Sequence, residues 1–142
     1  FRGVQGYYTS NRRGTLAQGA HDYRHIHTFF EDTGLILVGM EPDDALVGGD
    51  PLKAKCIHND DTYIVYAANP DGETPRTDNP RVEPPVVRVR LPEGSYSVRW
   101  FDPRMGTWQG EQTVSGGGSR KLESPDVGRI AFRDWVILIQ RK

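Results

Sequence analysis

The chain has 142 residues, 18 basic and 19 acidic side chains and a net charge of −1, which suits one compact domain with an appendage and leaves no basic stripe for a nucleic acid. Its single cysteine excludes a disulfide framework and a thiolate metal site, and no run of about 18 apolar residues is present to span a membrane. With 16 glycines, 10 prolines and 10% aromatics it reads as a turn-rich β protein, and 36% apolar residues can fill one small core, not two.

Residues 1–20 are polar and glycine-rich, with only Tyr7, Tyr8 and Leu16 as anchors, and read as loop. Tyr23, Ile26, Phe29 and Phe30 then recur at spacings of three and four, which predicts a helix over about 21–32, stopped by Thr33-Gly34. An apolar run from Leu35 to Met40 ends at Glu41-Pro42-Asp43-Asp44, where an aspartate can cap a short turn through Leu46 and Val47. Gly48-Gly49-Asp50-Pro51 reads as a linker, so the division is placed between 1–50 and 51–142.

Beyond the linker, strand patterns occur at 54–58, 62–68, 86–91, 95–101, 107–114, 120–123 and 135–141. About seven short strands in about ninety residues predict an antiparallel β-sandwich, so the chain reads as mainly β with an N-terminal helical segment. Val87, Val89 and Leu91 alternate with Arg88 and Arg90, which leaves one face wet. Trp135-Val136-Ile137-Leu138-Ile139 does not alternate and predicts a central strand covered on both faces. The connection from Asn69 to Pro85 holds five of the ten prolines and is long enough to be functional or disordered.

The stretch Ser95 to Trp108, S-Y-S-V-R-W-F-D-P-R-M-G-T-W, reads as strand, tight corner, strand. Tyr96, Val98 and Trp100 share one face, and Ser97 and Arg99 take the other. Asp102 can accept from backbone N–H groups two residues on, Pro103 presets φ, and Gly106 supplies a positive φ. Two tryptophans beside the corner either plug a core or offer a ring shelf to a ligand. The rings and donors that could hold a polymer are Trp108, Trp100, Tyr66, Arg99 and Arg104; Trp100 shares the buried face of Val98, and Trp108 is the ring expected to be partly open.

Other chemistry has weaker carriers. Cys56 lies in a strand pattern with His58 two residues on, and reads as a small buried hydrophobe. His21 and His25 share a helix face, with His27 nearby, but the glutamate of an H-E-x-x-H arrangement is missing. No cofactor and no metal site are expected; calcium is the one metal whose oxygen ligands Asp60-Asp61, or Asp71, Glu73 and Asp78, could supply. The acids sit mainly in turns and at helix ends, so no catalytic residue is assigned to a glycoside-cleaving carboxylate pair.

Tyr63 to Ala67 (Y-I-V-Y-A), R-W-F-D-P-R-M-G-T-W, the Gly116 to Gly118 run, Pro125 and the closing D-W-V-I-L-I resemble the collagen-binding β-sandwich that follows a glycoside-hydrolase-like barrel. The resemblance covers about residues 53–142, and the stretch from Asp22 to Val47 resembles the barrel's last helix and exit. It implies a non-catalytic accessory module of a secreted or cell-surface polysaccharide-degrading enzyme, whose catalytic carboxylates lie on barrel strands outside this chain. The implied partners are that preceding barrel domain and polysaccharide or collagen, with no nucleic acid and no membrane. The alternatives are a glycosidase fragment contributing cleft loops and a free-standing adhesion domain. A large uncovered apolar patch on the helix would favour a piece of a larger body. The opening at Phe1 rather than Met reads as a processed or excised product, so the lack of a signal peptide says nothing of location.

Overall fold

The computed structural model describes residues 18–48, 53–69, 85–125 and 134–142, with side chains in the helix described from residue 23. The loop expected before the helix (to residue 17), most of the linker (49–51) and the proline-rich connection (70–84) lie outside these residues, as do Asp71, Glu73 and Asp78. The helix α1 spans Gln18–Thr33. It starts about a turn earlier than expected, because the aromatic periodicity begins only at Tyr23 and cannot mark the turn before it. Its end is where Thr33-Gly34 predicts: Gly34 takes φ 63° and its N–H donates to the Phe30 carbonyl at 2.9 Å.

Among the described residues nine further elements follow. The two-residue strand β1 (Glu41–Pro42) leads into a 3₁₀ turn, Asp44–Val47, capped by the Asp43 carboxylate accepting from the Ala45 N–H. Then come β2 (Ala54–His58), β3 (Thr62–Ala67), β4 (Val86–Leu91), β5 (Ser95–Asp102), β6 (Thr107–Ser115), β7 (Gly118–Glu123) and β8 (Trp135–Arg141). The seven long strands match the seven expected patterns, with ends shifted by up to two residues. β1 was not expected; two residues carry no period, and a proline suits only an edge strand.

The strands form a six-stranded sheet in the order β1-β2-β3-β8-β5-β6 and a two-stranded sheet, β4-β7. Every strand pair with a recorded register is antiparallel. β8 sits between β3 and β5, and Trp135, Ile137, Leu138 and Ile139 are all buried, as its unbroken apolar run requires. One core joins the sheets: Cys56, Val65, Tyr96, Val98, Trp100, Trp135, Ile137 and Ile139 from the larger meet Val87, Val89, Leu91 and Leu122 from the smaller. The result is the expected two-layer sandwich.

The described residues fall into two compact units. In one, α1 is grouped with the corner Pro103–Thr107. The His25 Nδ1 lies 3.1 Å from the Pro103 carbonyl, and a Cβ on Gly106, at φ 65°, would come within 2.6 Å of the His25 ring. Glycine at that corner therefore serves both the turn and the close approach of the imidazole. The other unit holds Leu37–Asp102 and Trp108–Lys142, and so both sheets.

Candidate functional site

Strand parity sorts the expected ligand-binding residues. On β5, Tyr96, Val98 and Trp100 point into the core, while Ser97, Arg99 and Phe101 point to the other face of the six-stranded sheet. Register then builds two rows on that outer face: Tyr66–Val136–Phe101 and Ile64–Leu138–Arg99, drawn from β3, β8 and β5. Trp108, on the neighbouring β6, meets Phe101 edge-on at 5.0 Å and lies under the Arg99 guanidinium, whose carbon is 3.9 Å from the indole centroid. Tyr66, Arg99 and Trp108 thus share one face.

Two expected members do not join them. Trp100 is only 2% exposed and packs edge-to-face on Trp135 at 5.9 Å. It is a core ring and not a ligand platform, because its parity is that of Val98. Arg104 sits half-buried in the corner that is grouped with α1. Trp108 is half-buried, as expected for the ring nearest solvent, but one of its faces already carries Arg99. Tyr66 is the most open of the rings at 39% exposed. Leu138 and Phe101, in the middle of the face, are buried, so access lies towards its margins.

Asp134 enters the sequence reading only as the first residue of the closing D-W-V, yet it fixes Tyr66. Its carboxylate is buried and accepts from the Tyr66 hydroxyl and, at 2.6 Å, from the Asn69 N–H. The tyrosine lies 68 residues away along the chain, so only the pairing of β3 with β8 brings the two together.

A cleft of about 540 Å³ opens in the sandwich, lined by the edge of Trp100 with Glu111, Gln112, Lys121, Glu123 and Ser124 among others. Its two carboxylates are exposed. Lys121 holds the Glu123 carboxyl below its ordinary range, through an ion pair and hydrogen bond. A glycosidic general acid needs the opposite shift, raised by burial.

The cysteine and the described histidines of the sheet and helix have local partners. Cys56 is buried and its thiol is pushed up to about 12 by burial and then by Asp43 and Asp44, so it carries no thiolate at neutral pH. His58 stacks on Tyr63 at 5.5 Å. His27 pairs with Glu31 one turn on at 3.0 Å. Among the described residues no three of His, Cys, Asp and Glu gather as a metal site, and no helix is long and apolar enough to cross a membrane.

Comparison with known proteins follows the same lines. Residues 80–140 match a family model described as "Putative collagen-binding domain of a collagenase". Two solved structures share the fold at a TM-score of 0.60: a glycoside hydrolase at 12% identity, and a glycoside hydrolase of family 5 from Bacteroides vulgatus at 11%. The similarity covers 89% and 88% of this chain but only 26% and 25% of theirs, so the chain spans about a quarter of the length of the structures it matches. No curated protein matches the sequence. The resemblance read from the W-F-D-P corner and the closing D-W-V is borne out.

Proposed function

We propose that this chain is a non-catalytic accessory β-sandwich of a larger glycoside hydrolase, secreted or held at the cell surface, and that it seats against the catalytic domain. The observation that carries the reading is exposed apolar surface next to a fold match confined to a quarter of larger hydrolases. Tyr23 and Ile26, one turn apart on α1, are 61% and 53% exposed. The consecutive Ile36, Leu37 and Val38 are 72%, 47% and 88% exposed. Three such side chains in a row are costly to leave in water, and patches of this kind mark surfaces that meet another body. The test is the full-length hydrolase carrying Val38→Asp. The wild-type hydrolase is expected to melt in one transition and the variant in two, the sandwich as before and the catalytic domain lower. A variant that still melts in one unchanged transition would refute the docking surface.

The module also holds polymer, polysaccharide or collagen, at the margin of the outer sheet face where Tyr66 and Trp108 lie. Ring faces stack on sugar C–H surfaces, and the Arg99 guanidinium, spread over the Trp108 indole, adds hydrogen-bond donors. Trp108→Ala is expected to weaken retention on insoluble polysaccharide or collagen while the melting temperature stays within a few degrees of wild type. Equal retention by both proteins on both matrices removes this assignment.

A further inference from the structure

The outer face of the β4–β7 pair carries three cations, of which only Lys121 is paired, with Glu123. Val87, Val89 and Leu91 turn inward, as does Leu122, and all are buried. The alternate residues Arg88, Arg90 and Lys121 are exposed. Register sets Arg88 directly opposite Lys121 and Arg90 opposite Ser119. Directly opposed side chains lie about 5 Å apart at Cβ, and Arg88 and Arg90 stand about 7 Å apart along the strand. Like charges so opposed work against the pairing of the two strands that form this sheet among the described residues. Glu123 pairs with Lys121, but no ion pair or hydrogen bond holds the Arg88 or Arg90 side chain among the described residues. Other cations here are engaged: Lys55 by Asp44, and Arg120 and Arg141 by backbone carbonyls.

We propose that this face binds an acidic polysaccharide, one carrying carboxylate or sulfate groups, through Arg88, Arg90 and Lys121. Guanidinium forks match the paired oxygens of both groups, and a chain laid along β4 would present successive anions to the two arginines. The net charge of −1 and the small number of cations argue against a nucleic acid, which needs many phosphate contacts. The choice of a polysaccharide rests in part on the accessory-module reading above.

The test is affinity electrophoresis and calorimetry of the chain with polygalacturonate, chondroitin sulfate, a neutral β-glucan and duplex DNA. Binding to one or both acidic polymers is expected, weakening about a hundredfold over a tenfold rise in salt. The two acidic arms separate carboxylate from sulfate recognition. R88Q/R90Q is expected to bind about tenfold more weakly, and R88K/R90K, which keeps the charge and loses the fork, to recover only part of the loss. R88Q alone is expected to raise the melting temperature by about 2 °C, since it removes the opposed charge. The proposal is overturned if neither acidic polymer binds, if R88Q/R90Q binds as tightly as wild type, or if binding ignores salt. A parallel loss on neutral glucan, tighter binding to DNA, or a lower melting temperature for R88Q also overturns it. None of these outcomes touches the melting of the full-length hydrolase, so the two readings fail separately.

Discussion

Replacing Trp135 by alanine is expected to remove a large share of the stability of the sandwich. The indole is fully buried in β8, the strand flanked on both sides in the larger sheet, and it packs edge-to-face on Trp100 at 5.9 Å. An indole hides about 200 Å² on folding, which at about 25 cal/mol per Å² gives an upper bound of about 5 kcal/mol. Large-to-small substitutions in cores cost about 3–5 kcal/mol, which agrees. Domains of this size hold about 5–15 kcal/mol in total. At about 4–8 °C per kcal/mol, the melting temperature should fall by about 15–30 °C. Urea unfolding followed by circular dichroism gives the free energy, and Trp135→Phe, which keeps a ring against Trp100, should recover about half of it. A Trp135→Ala protein that melts within about 5 °C of wild type would refute the placement of this ring at the centre of the core.

Three other outcomes test the remaining joints. Gly116→Ala puts a Cβ 1.8 Å from the Pro92 carbonyl oxygen and 2.8 Å from the Tyr96 ring, so the β6–β7 turn must shift; a loss of about 2–3 kcal/mol in urea unfolding is expected. Asp134→Ala removes the buried carboxylate that accepts from the Tyr66 hydroxyl and the Asn69 N–H, which is expected to cost about 2–3 kcal/mol in the same assay. Acid should weaken the fold through Asp44 and Glu123. Lys55 and the Cys56 N–H lower the first, and Lys121 lowers the second, from ordinary values of 3.8 and 4.5. A carboxyl lowered in the folded state contributes stability above its unfolded value and loses it as pH falls through the folded one. Melting temperature should therefore hold at pH 5 and above and decline on acidification through 4.5 and 3.8, less steeply in Asp44→Asn; identical slopes would discount Asp44.

Where the chain alternates or runs unbroken, its arrangement was legible. Val86–Leu91 alternates and forms a strand with one buried and one exposed face; Trp135–Arg141 opens with an unbroken apolar run and lies between two partners. The corner after Asp102 was legible because Pro103 and Gly106 each do one thing to the backbone. β1 was not, since an edge of two residues is defined by its partner β2 and not by its own pattern. The pairing of the sheets was also hidden. Nothing local tells β4 to join β7 across twenty-six intervening residues, and that choice depends on which apolar faces close the core together.

The face chemistry was legible only half-way, and the reason lies in what period two does and does not carry. Alternation places Trp100 with Tyr96 and Val98, and so assigns it to the core. It places Arg99 and Phe101 together on the other side. It cannot say which strand lies beside them, and so cannot show that Trp108 will slide beneath Arg99, or that Tyr66 will stand on the same face two strands away. Nor can it reveal Asp134, whose role exists only once β8 has drawn it up to the end of β3. The same limit bears on the basic face of the smaller sheet. Arg88 and Arg90 read as ordinary solvated positions until the register sets Lys121 opposite Arg88, which gathers three cations on one face.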